Sequence, residues 1–303
     1  MAGEQGGQAR VAVVVPVLDP GPDLRAALAS VLAQTTAAWE LVVVDDGSSE
    51  DLAWVAGLDP RVRLIRAAHA GVSAARNRGV AATSASWVAF LDHDDTWAPD
   101  KLERQLAALD GHPSAVLCHT AFEWVVTDAS GSAEHVRRYP EPLTYHGLLR
   151  GDHVCTSSVL VERGAFLAAG GFCEDLAHAE DLALWLRLLH DGGPSCVVDE
   201  PLVRYTSHPG GASSDYARTA RARAALVREH ERAARASGDA AGVRAARDGL
   251  ARGRELAAHQ AFDAARASRG VAVAAHLARS AAQDPRVVWQ AARRRIAVGG
   301  AQG

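Results

Sequence analysis

Lysine is all but missing from this chain: Lys101 is the single one among 32 basic residues, the rest being arginine. Alanine is abundant too, which together reads as the codon bias of a GC-rich genome. Arginine content therefore gives no argument for nucleic acid, and no nucleic-acid partner is expected. Cysteine is scarce. Cys118, Cys155, Cys173 and Cys196 are far apart, make no C-x-x-C pair and sit among apolar or small residues, which points to buried reduced thiols. Apolar runs such as Val11–Val17 fall far short of the ~20 residues a membrane-spanning helix needs. No signal-peptide pattern opens the chain, so a cytoplasmic protein in a reducing compartment is the expectation. No internal repeat of useful period and no H-x-x-x-H spacing occurs.

What is present is a globular balance, with 48% hydrophobic and 22% charged residues over 303 positions. The net charge of −4 conceals a split. Residues 1–214 carry 15 basic against 28 acidic residues, net −13, and residues 215–303 carry 17 against 8, net +9. Three parts follow: a Gly/Gln-rich, frayed N-terminus over 1–10, an α/β domain over 11–214, and an α-helical C-terminal region over 215–303 rich in Ala, Arg and Glu.

Within 11–214 the pattern alternates. Val11–Val17 reads as a buried strand ended by Asp19-Pro20, and Leu24, Leu28, Val31 and Leu32 show helical spacing over 23–34, with Asp23 as cap. Strands follow at 41–44, 62–65 and 87–91, with a short Ala-rich helix at 71–82 between the last two. Pro99 fits the first turn of another helix. Repeated strand–helix alternation predicts a mostly parallel sheet flanked by helices, Rossmann-like, with ligands outside the carboxyl ends of the strands. Beyond 116 the pattern is mixed. Strands are expected within 116–126, 154–161, 196–198 and 202–205, a turn at 127–132, and an amphipathic helix over 179–190.

The polar clusters that could carry chemistry fall at those strand ends. Asp92-His93-Asp94-Asp95 sets three carboxylates within four residues, which repel unless a cation sits among them. Hard oxygen ligands with the remaining positions left to phosphate and water suit Mn²⁺ or Mg²⁺. An acidic turn in which Asp95 or Thr96 caps the next helix would show the same residues. Asp45-Asp46-Gly47-Ser48-Ser49 could accept hydrogen bonds from a base or ribose, or could be a simple turn. Glu180-Asp181 opens a helix, where carboxylates are favoured electrostatically; one of them could equally act as a general base on an alcohol. Arg76 could meet phosphate or solvate a helix end. His208, in the loop Tyr205-Thr206-Ser207-His208-Pro209-Gly210-Gly211, could bind metal or phosphate, although most loop histidines do neither.

Order and spacing decide what no single motif does. Val-Val-Val-Pro-Val at 13–17, Leu32-Ala33-Gln34-Thr35, Val43-Val44-Asp45-Asp46-Gly47-Ser48-Ser49 and Ala70-Gly71-Val72-Ser73-Ala74-Ala75-Arg76-Asn77-Arg78-Gly79 resemble the opening of the family 2 glycosyltransferases. Phe90-Leu91-Asp92-His93-Asp94-Asp95, Trp97-Ala98-Pro99-Asp100-Lys101-Leu102 and the run from Glu180 to Leu188 continue the likeness over residues 10–214. The resemblance implies a GT-A fold and an inverting, nucleotide-sugar-dependent transferase. It implies nucleotide-sugar contacts at Pro16, Val17, Asp45, Asp46, Arg76, Asp92 and His93, with Asp46 on the base and Asp92 or His93 near the ribose. Asp94 would hold the metal, Mn²⁺ or Mg²⁺, with His208 completing its shell. Asp181 would be the base, with Glu180 beside it. His93 departs from the small or acidic residue often found inside the family's D-x-D. The Gln-x-x-Arg-Trp motif of its membrane-embedded polymerising members is absent, which favours addition of a single sugar.

The donor is expected to be a UDP-, GDP- or dTDP-sugar and the acceptor a hydroxyl on a glycan, a lipid-linked intermediate or a small molecule. Two rival readings are a non-catalytic nucleotide-sugar-binding protein and a nucleotidyltransferase. The latter usually has a basic Gly-rich loop after the first strand, where this chain has Leu18-Asp19-Pro20-Gly21-Pro22. The C-terminal helices could pair with a second copy or lie against an anionic membrane; residues 286–296 join Val287, Val288, Trp289 and Ile296 to Arg293-Arg294-Arg295, a combination seen in interfacial helices.

Overall fold

Strand β1 (Val11–Val17) has seven residues and all seven are buried, so both of its faces must be covered. In the computed structural model, which describes residues 9–128, 131–207 and 216–267, β1 lies between two parallel neighbours. These are β2 (Trp39–Asp45) and β4 (Trp87–Phe90), and β3 (Val62–Arg66) adds in parallel outside β2. The two-residue period sorts the side chains between faces. Val13, Val15, Leu41 and Val43 join Leu24, Leu28 and Val31 of helix α1 (Asp23–Leu32) in the main core. Val42 and Val44 point the other way, against Ala75 of helix α2 (Val72–Ala81). A Cβ on Gly79 would lie 2.3 Å from Val14 Cγ1, so only glycine lets α2 ride this close to β1.

The second half of the sheet is mixed. It contains β5 (Thr96–Trp97), β6 (Leu117–Asp128), β7 (Gly131–Arg137), β8 (Leu160–Glu162) and β9 (Ser195–Ser207), in the order β3-β2-β1-β4-β8-β6-β9-β5, with β7 hairpinned onto β6. β8 runs antiparallel to both β4 and β6, whereas β6 and β9 are parallel. Helix α3 (Lys101–Asp110) adds Leu102, Leu106 and Leu109 to the main core. Three further helices are α4 (Tyr145–Arg150), α5 (Arg163–Ala168) and α6 (Glu180–Arg187). Phe90, Phe166 of α5, Phe172 and Trp185 of α6 form one aromatic cluster.

Four sequence expectations need correcting. The strand expected over 154–161 shrinks to β8. Thr156–Ser158 is instead a 3-10 turn in which Ser158 donates both its N–H and its hydroxyl to the Cys155 carbonyl, at 2.9 and 2.7 Å. Short hydroxyl side chains offer the backbone such alternatives to a ladder. The two strands expected at 196–198 and 202–205 are one, because β6 and β9 shift register between Thr120 and Ala121 and step over Asp199 and Glu200. Helix α3 begins at Lys101 rather than Pro99. Its first turn has no cap from Asp100; the Leu102 N–H donates instead to Gln34 Oε1 at 3.0 Å. Gln34 Nε2 donates to the carbonyls of Ser30 and Ala98, so this side chain from the end of α1 staples α3 in place. Asp23 likewise caps nothing.

The described residues form two units, one within 9–148 and 153–207, the other of 149–152 and 216–267. In the second, α7 (Tyr216–Ser237) packs along α8 (Ala240–Ala267). Glu231 of α7 pairs with Arg235 at 2.6 Å and Arg247 at 3.2 Å. No described helix is long and apolar enough to cross a membrane. The basic segment 286–296 and residues 1–8 lie outside the described residues. The four thiols are unbridged, and three of them, Cys118, Cys155 and Cys196, are buried.

The chain's only lysine is wholly buried. Lys101 Nζ donates to Gln105 Oε1 at 2.8 Å and sits 3.9 Å above the Trp97 ring, while Gln105 Nε2 donates to the carbonyls of Cys118 and Ser158. Burial lowers its pKa from 10.5 to about 7. Between those values the unfolded chain binds the proton that the folded chain has released, so this group's contribution to stability rises with pH across that window. Lys101→Met is expected to abolish the rise. Urea unfolding at pH 7 and pH 9.5 would show wild type gaining on the variant; parallel changes in both would mean the buried amine stays charged.

Candidate active site

Strands β1, β2 and β4 end side by side, and the polar residues just past them share one edge. Pro16 and Val17 close β1, fully buried, in register with Val44 and Asp45. The Asp46 N–H donates to the Val17 carbonyl at 2.8 Å, which carries the β2 exit across β1. Asp45 accepts the Ser48 N–H at 2.7 Å and faces Arg66 Nε at 3.4 Å. Between them the chain turns at Gly47, whose φ is 94° and where a Cβ would come within 3.0 Å of the His69 nitrogen. Only glycine is comfortable there.

Asp46 is 3% exposed and reaches the start of α2. Its Oδ1 accepts the Ala70 N–H at 2.9 Å and its Oδ2 the Gly71 N–H at 2.8 Å, with His69 Nδ1 also 2.8 Å from Oδ2. A carboxylate just before the N-terminus of a helix is a favourable electrostatic arrangement. Asp46 thereby ties β2 to α2. His69, which follows β3 and is well exposed, is a neighbour that sequence reasoning did not single out.

Helix α2 then presents Arg76, Asn77 and Arg78 in succession. Arg76 is 3% exposed. Its Nη2 donates to Asp92 Oδ1 at 2.6 Å and its Nη1 to Glu180 Oε1 at 3.0 Å. Burial opposes its charge, but Asp92 and Glu180 outweigh that and hold the guanidinium firmly protonated. An arginine expected at a phosphate or in solvent is thus enclosed between two carboxylates. Asn77 grips the backbone of Phe172, accepting its N–H and donating to its carbonyl, both at 2.9 Å.

Past β4, Asp92, His93 and Asp94 form a half-buried turn, closed by a bond from the Asp95 N–H to the Asp92 carbonyl at 3.1 Å. Asp95 is fully buried and caps no helix. Its Oδ1 accepts the Thr206 N–H at 2.9 Å and its Oδ2 accepts the Ser157 hydroxyl, while Ser157 Oγ accepts the Asp92 N–H at 3.1 Å. Burial first, then the charges of Asp92 and Asp94, push the Asp95 carboxyl far above the usual carboxylate range. Ser157 was missed in the sequence, although a Thr-Ser-Ser run inside an apolar stretch is the kind of interruption that marks a buried polar contact.

Glu180 and Asp181 begin α6, whose N-cap residue Ala179 has a left-handed backbone with φ 61°. Glu180 is raised by burial and by the adjacent Asp181, with Arg76 opposing. Asp181 Oδ1 accepts the Leu182 N–H at 2.6 Å. The structure therefore brings Asp92 and Glu180 onto one guanidinium, with Asp94 and Asp181 as their sequence neighbours. His208 lies outside the described residues.

Does this site fit a divalent metal? Its donors are hard carboxylate oxygens, from three carboxylates within four residues, the kind that suit a hard divalent cation. Both Asp95 oxygens are engaged by Ser157 and Thr206, and Asp92 Oδ1 is held by Arg76. Among the described residues no three His, Cys, Asp or Glu side chains form a metal cage. The fit is to a cation held by few protein ligands and completed by a diphosphate and water.

Comparison with known proteins places the chain in a family. The family model described as glycosyl transferase family 2 matches residues 12–163. The UDP-Glc:alpha-D-GlcNAc-diphosphoundecaprenol beta-1,3-glucosyltransferase WfgD of Escherichia coli is 30% identical over 190 residues, covering 62% of this chain and 72% of the relative. The putative teichuronic acid biosynthesis glycosyltransferase TuaG of Bacillus subtilis is 28% identical over 228 residues, 73% of this chain and 88% of the relative. Among solved structures, residues 1–349 of S. aureus TarS in complex with UDP-GlcNAc superpose with a TM-score of 0.58 at 18% identity, over 72% of this chain and 66% of that fragment, a likeness of fold.

Proposed function

This chain belongs to the family 2 glycosyltransferases, and from that premise we propose that it moves one sugar from a UDP-sugar to a glycan hydroxyl carried on a lipid or polymer, with inversion at the anomeric carbon. The observation that carries the reading is the meeting of the Asp92–Asp95 turn with the Glu180-Asp181 helix start through Arg76. A donor-binding edge and a candidate base thus occupy one site. Relatives support the substrate class: the names of two include UDP-glucose with a diphosphoundecaprenol-linked acceptor, and teichuronic acid synthesis.

In this reading the base and ribose of the donor lie along the ends of β1 and β2, by Pro16, Val17, Asp45 and Asp46, with His93 and Asp92 towards the ribose. Asp181 accepts the proton of the acceptor hydroxyl as its oxygen forms the new bond to the anomeric carbon. The bond from that carbon to the diphosphate breaks at the same time, and UDP leaves with the electron pair. Asp94, with His208, would hold Mn²⁺ or Mg²⁺, which supplies neutralising charge to the departing diphosphate. Glu180, engaged by Arg76 at 3.0 Å, is the poorer candidate for the base.

Product analysis tests the reading. Purified protein incubated with UDP-glucose, UDP-N-acetylglucosamine, a GDP-sugar and a dTDP-sugar in Mn²⁺, with a diphosphate-linked GlcNAc lipid as acceptor, is expected to release UDP and extend the lipid by one sugar. Release of a sugar 1-phosphate, with the UMP group passing to the acceptor, would replace transfer by nucleotidyl chemistry. Binding of a nucleotide without any turnover would favour a non-catalytic binding protein.

A further inference from the structure

Two acidic pairs meet in this site, and one member of each is held by the same cation. Asp92 and Glu180 are 88 positions apart in the chain, yet both bond to Arg76. The guanidinium has little room to do anything else. Its side chain is 4% exposed, it lies 5.1 Å over the Phe172 ring, and that ring's backbone is clamped by Asn77, the next residue of α2. Over this aromatic floor the planar fork meets the two carboxylates through separate nitrogens, a geometry suited to guanidinium and not to a point charge.

We propose that Arg76 is a positioning residue, an internal cation that fixes the start of α6 to the Asp92–Asp95 turn and so sets where Asp181 stands relative to the donor. This rests on the reading of Asp181 as the base. The sequence offsets make the case physical. Glu180 immediately precedes Asp181, and Asp92 is two positions from Asp94, so a single tie fixes both the metal-side and the base-side carboxylates. Nothing else in the described residues links the side chains of Glu180 and Asp92. Misplacement of a reacting group by about 1 Å can lower a rate about a hundredfold, which is the scale of effect expected here.

The test uses the full chain and compares wild type, Arg76→Lys, Glu180→Gln and the double variant. Lysine keeps the buried charge, so the site is not left with two uncompensated carboxylates, but one ammonium cannot span both partners as the fork does. UDP binding in Mn²⁺ is read by calorimetry, and kcat and KM by UDP release from the UDP-sugar that wild type uses. Arg76→Lys is expected to bind UDP within about threefold of wild type, to keep the donor KM, and to lose about a hundredfold in kcat. The kcat losses of Arg76→Lys and Glu180→Gln should combine to well under their product, because both act through one contact. Melting temperatures within a few degrees of wild type separate this from general unfolding.

A fall in UDP affinity of about tenfold or more with kcat preserved would make Arg76 a phosphate ligand and overturn the proposal. Fully multiplicative losses in the double variant would overturn it as well. If wild type releases no UDP from any UDP-sugar, the transfer reading fails by itself. The affinity arm still judges Arg76, since weakened UDP binding in Arg76→Lys would place it at the phosphates.

Discussion

Asp181→Asn is expected to reduce kcat for sugar transfer by about 10³-fold, within the range that general-base removal gives, while leaving UDP affinity in Mn²⁺ within about twofold. The reason is positional. Asp181 opens α6 beside Glu180, and Glu180 is already committed to Arg76. Asparagine keeps the size and the bond that the Leu182 N–H makes to position 181, so the helix start survives and only the proton acceptor is lost. Steady-state UDP release and calorimetry on the same preparation check both halves. Near-normal turnover would remove Asp181 from the role, and abolition by Glu180→Gln with Asp181→Asn active would transfer it to the neighbour.

The second large effect concerns the turn after β4. Asp94→Asn is expected to abolish the Mn²⁺-dependent part of UDP binding, a loss of about tenfold or more in affinity, and to leave the metal-independent part unchanged. Asp94 is singled out by the resemblance of Phe90-Leu91-Asp92-His93-Asp94-Asp95 to the family's D-x-D motif. Titrating wild type and variant with UDP, with and without Mn²⁺, decides it. An undiminished Mn²⁺ response in the variant would mean that the cation, if bound, is held elsewhere.

The parallel half of the fold was readable because its residues obey simple periods. Val11–Val17 is uniformly apolar, and the strands expected at 41–44, 62–65 and 87–91 match β2, β3 and β4 to within two residues. The mixed half was not, since pairing there depends on partners far along the chain. β9 is one strand only because it bulges at Asp199 and Glu200 and resumes its pairing with β6, and β5 is two residues that gain strand character by pairing with β9. Helices α4 and α5, six residues each, are too short to show a period. In the site, the acidic clusters announced themselves by composition. Their connections did not: Arg76, Asn77 and Ser157 are ordinary residues whose roles come from tertiary contacts.

Gln34 was legible as part of a motif and opaque in purpose. It touches backbone only, the carbonyls of Ser30 and Ala98 and the N–H of Leu102. A glutamate there could not donate to those carbonyls, and an aliphatic residue could not satisfy any of the three groups. The motif at 32–35 is therefore a statement about how α1 holds α3, and only indirectly about catalysis.

The bond from the Thr206 N–H to Asp95 joins residues 111 positions apart, and the tie between Arg76 and Glu180 spans 104. Contacts of such long sequence separation are slow to close, because the intervening chain must first be ordered. During synthesis, β1 to β4 can pair among themselves as they emerge, while the acidic turn waits for α6 and then β9. The reactive centre is thus among the last parts of the first unit to form. A nascent chain released or cleaved before residue 206 would carry a paired parallel half-sheet and an unassembled cluster of carboxylates, so that donor use begins only once nearly the whole α/β unit has been made.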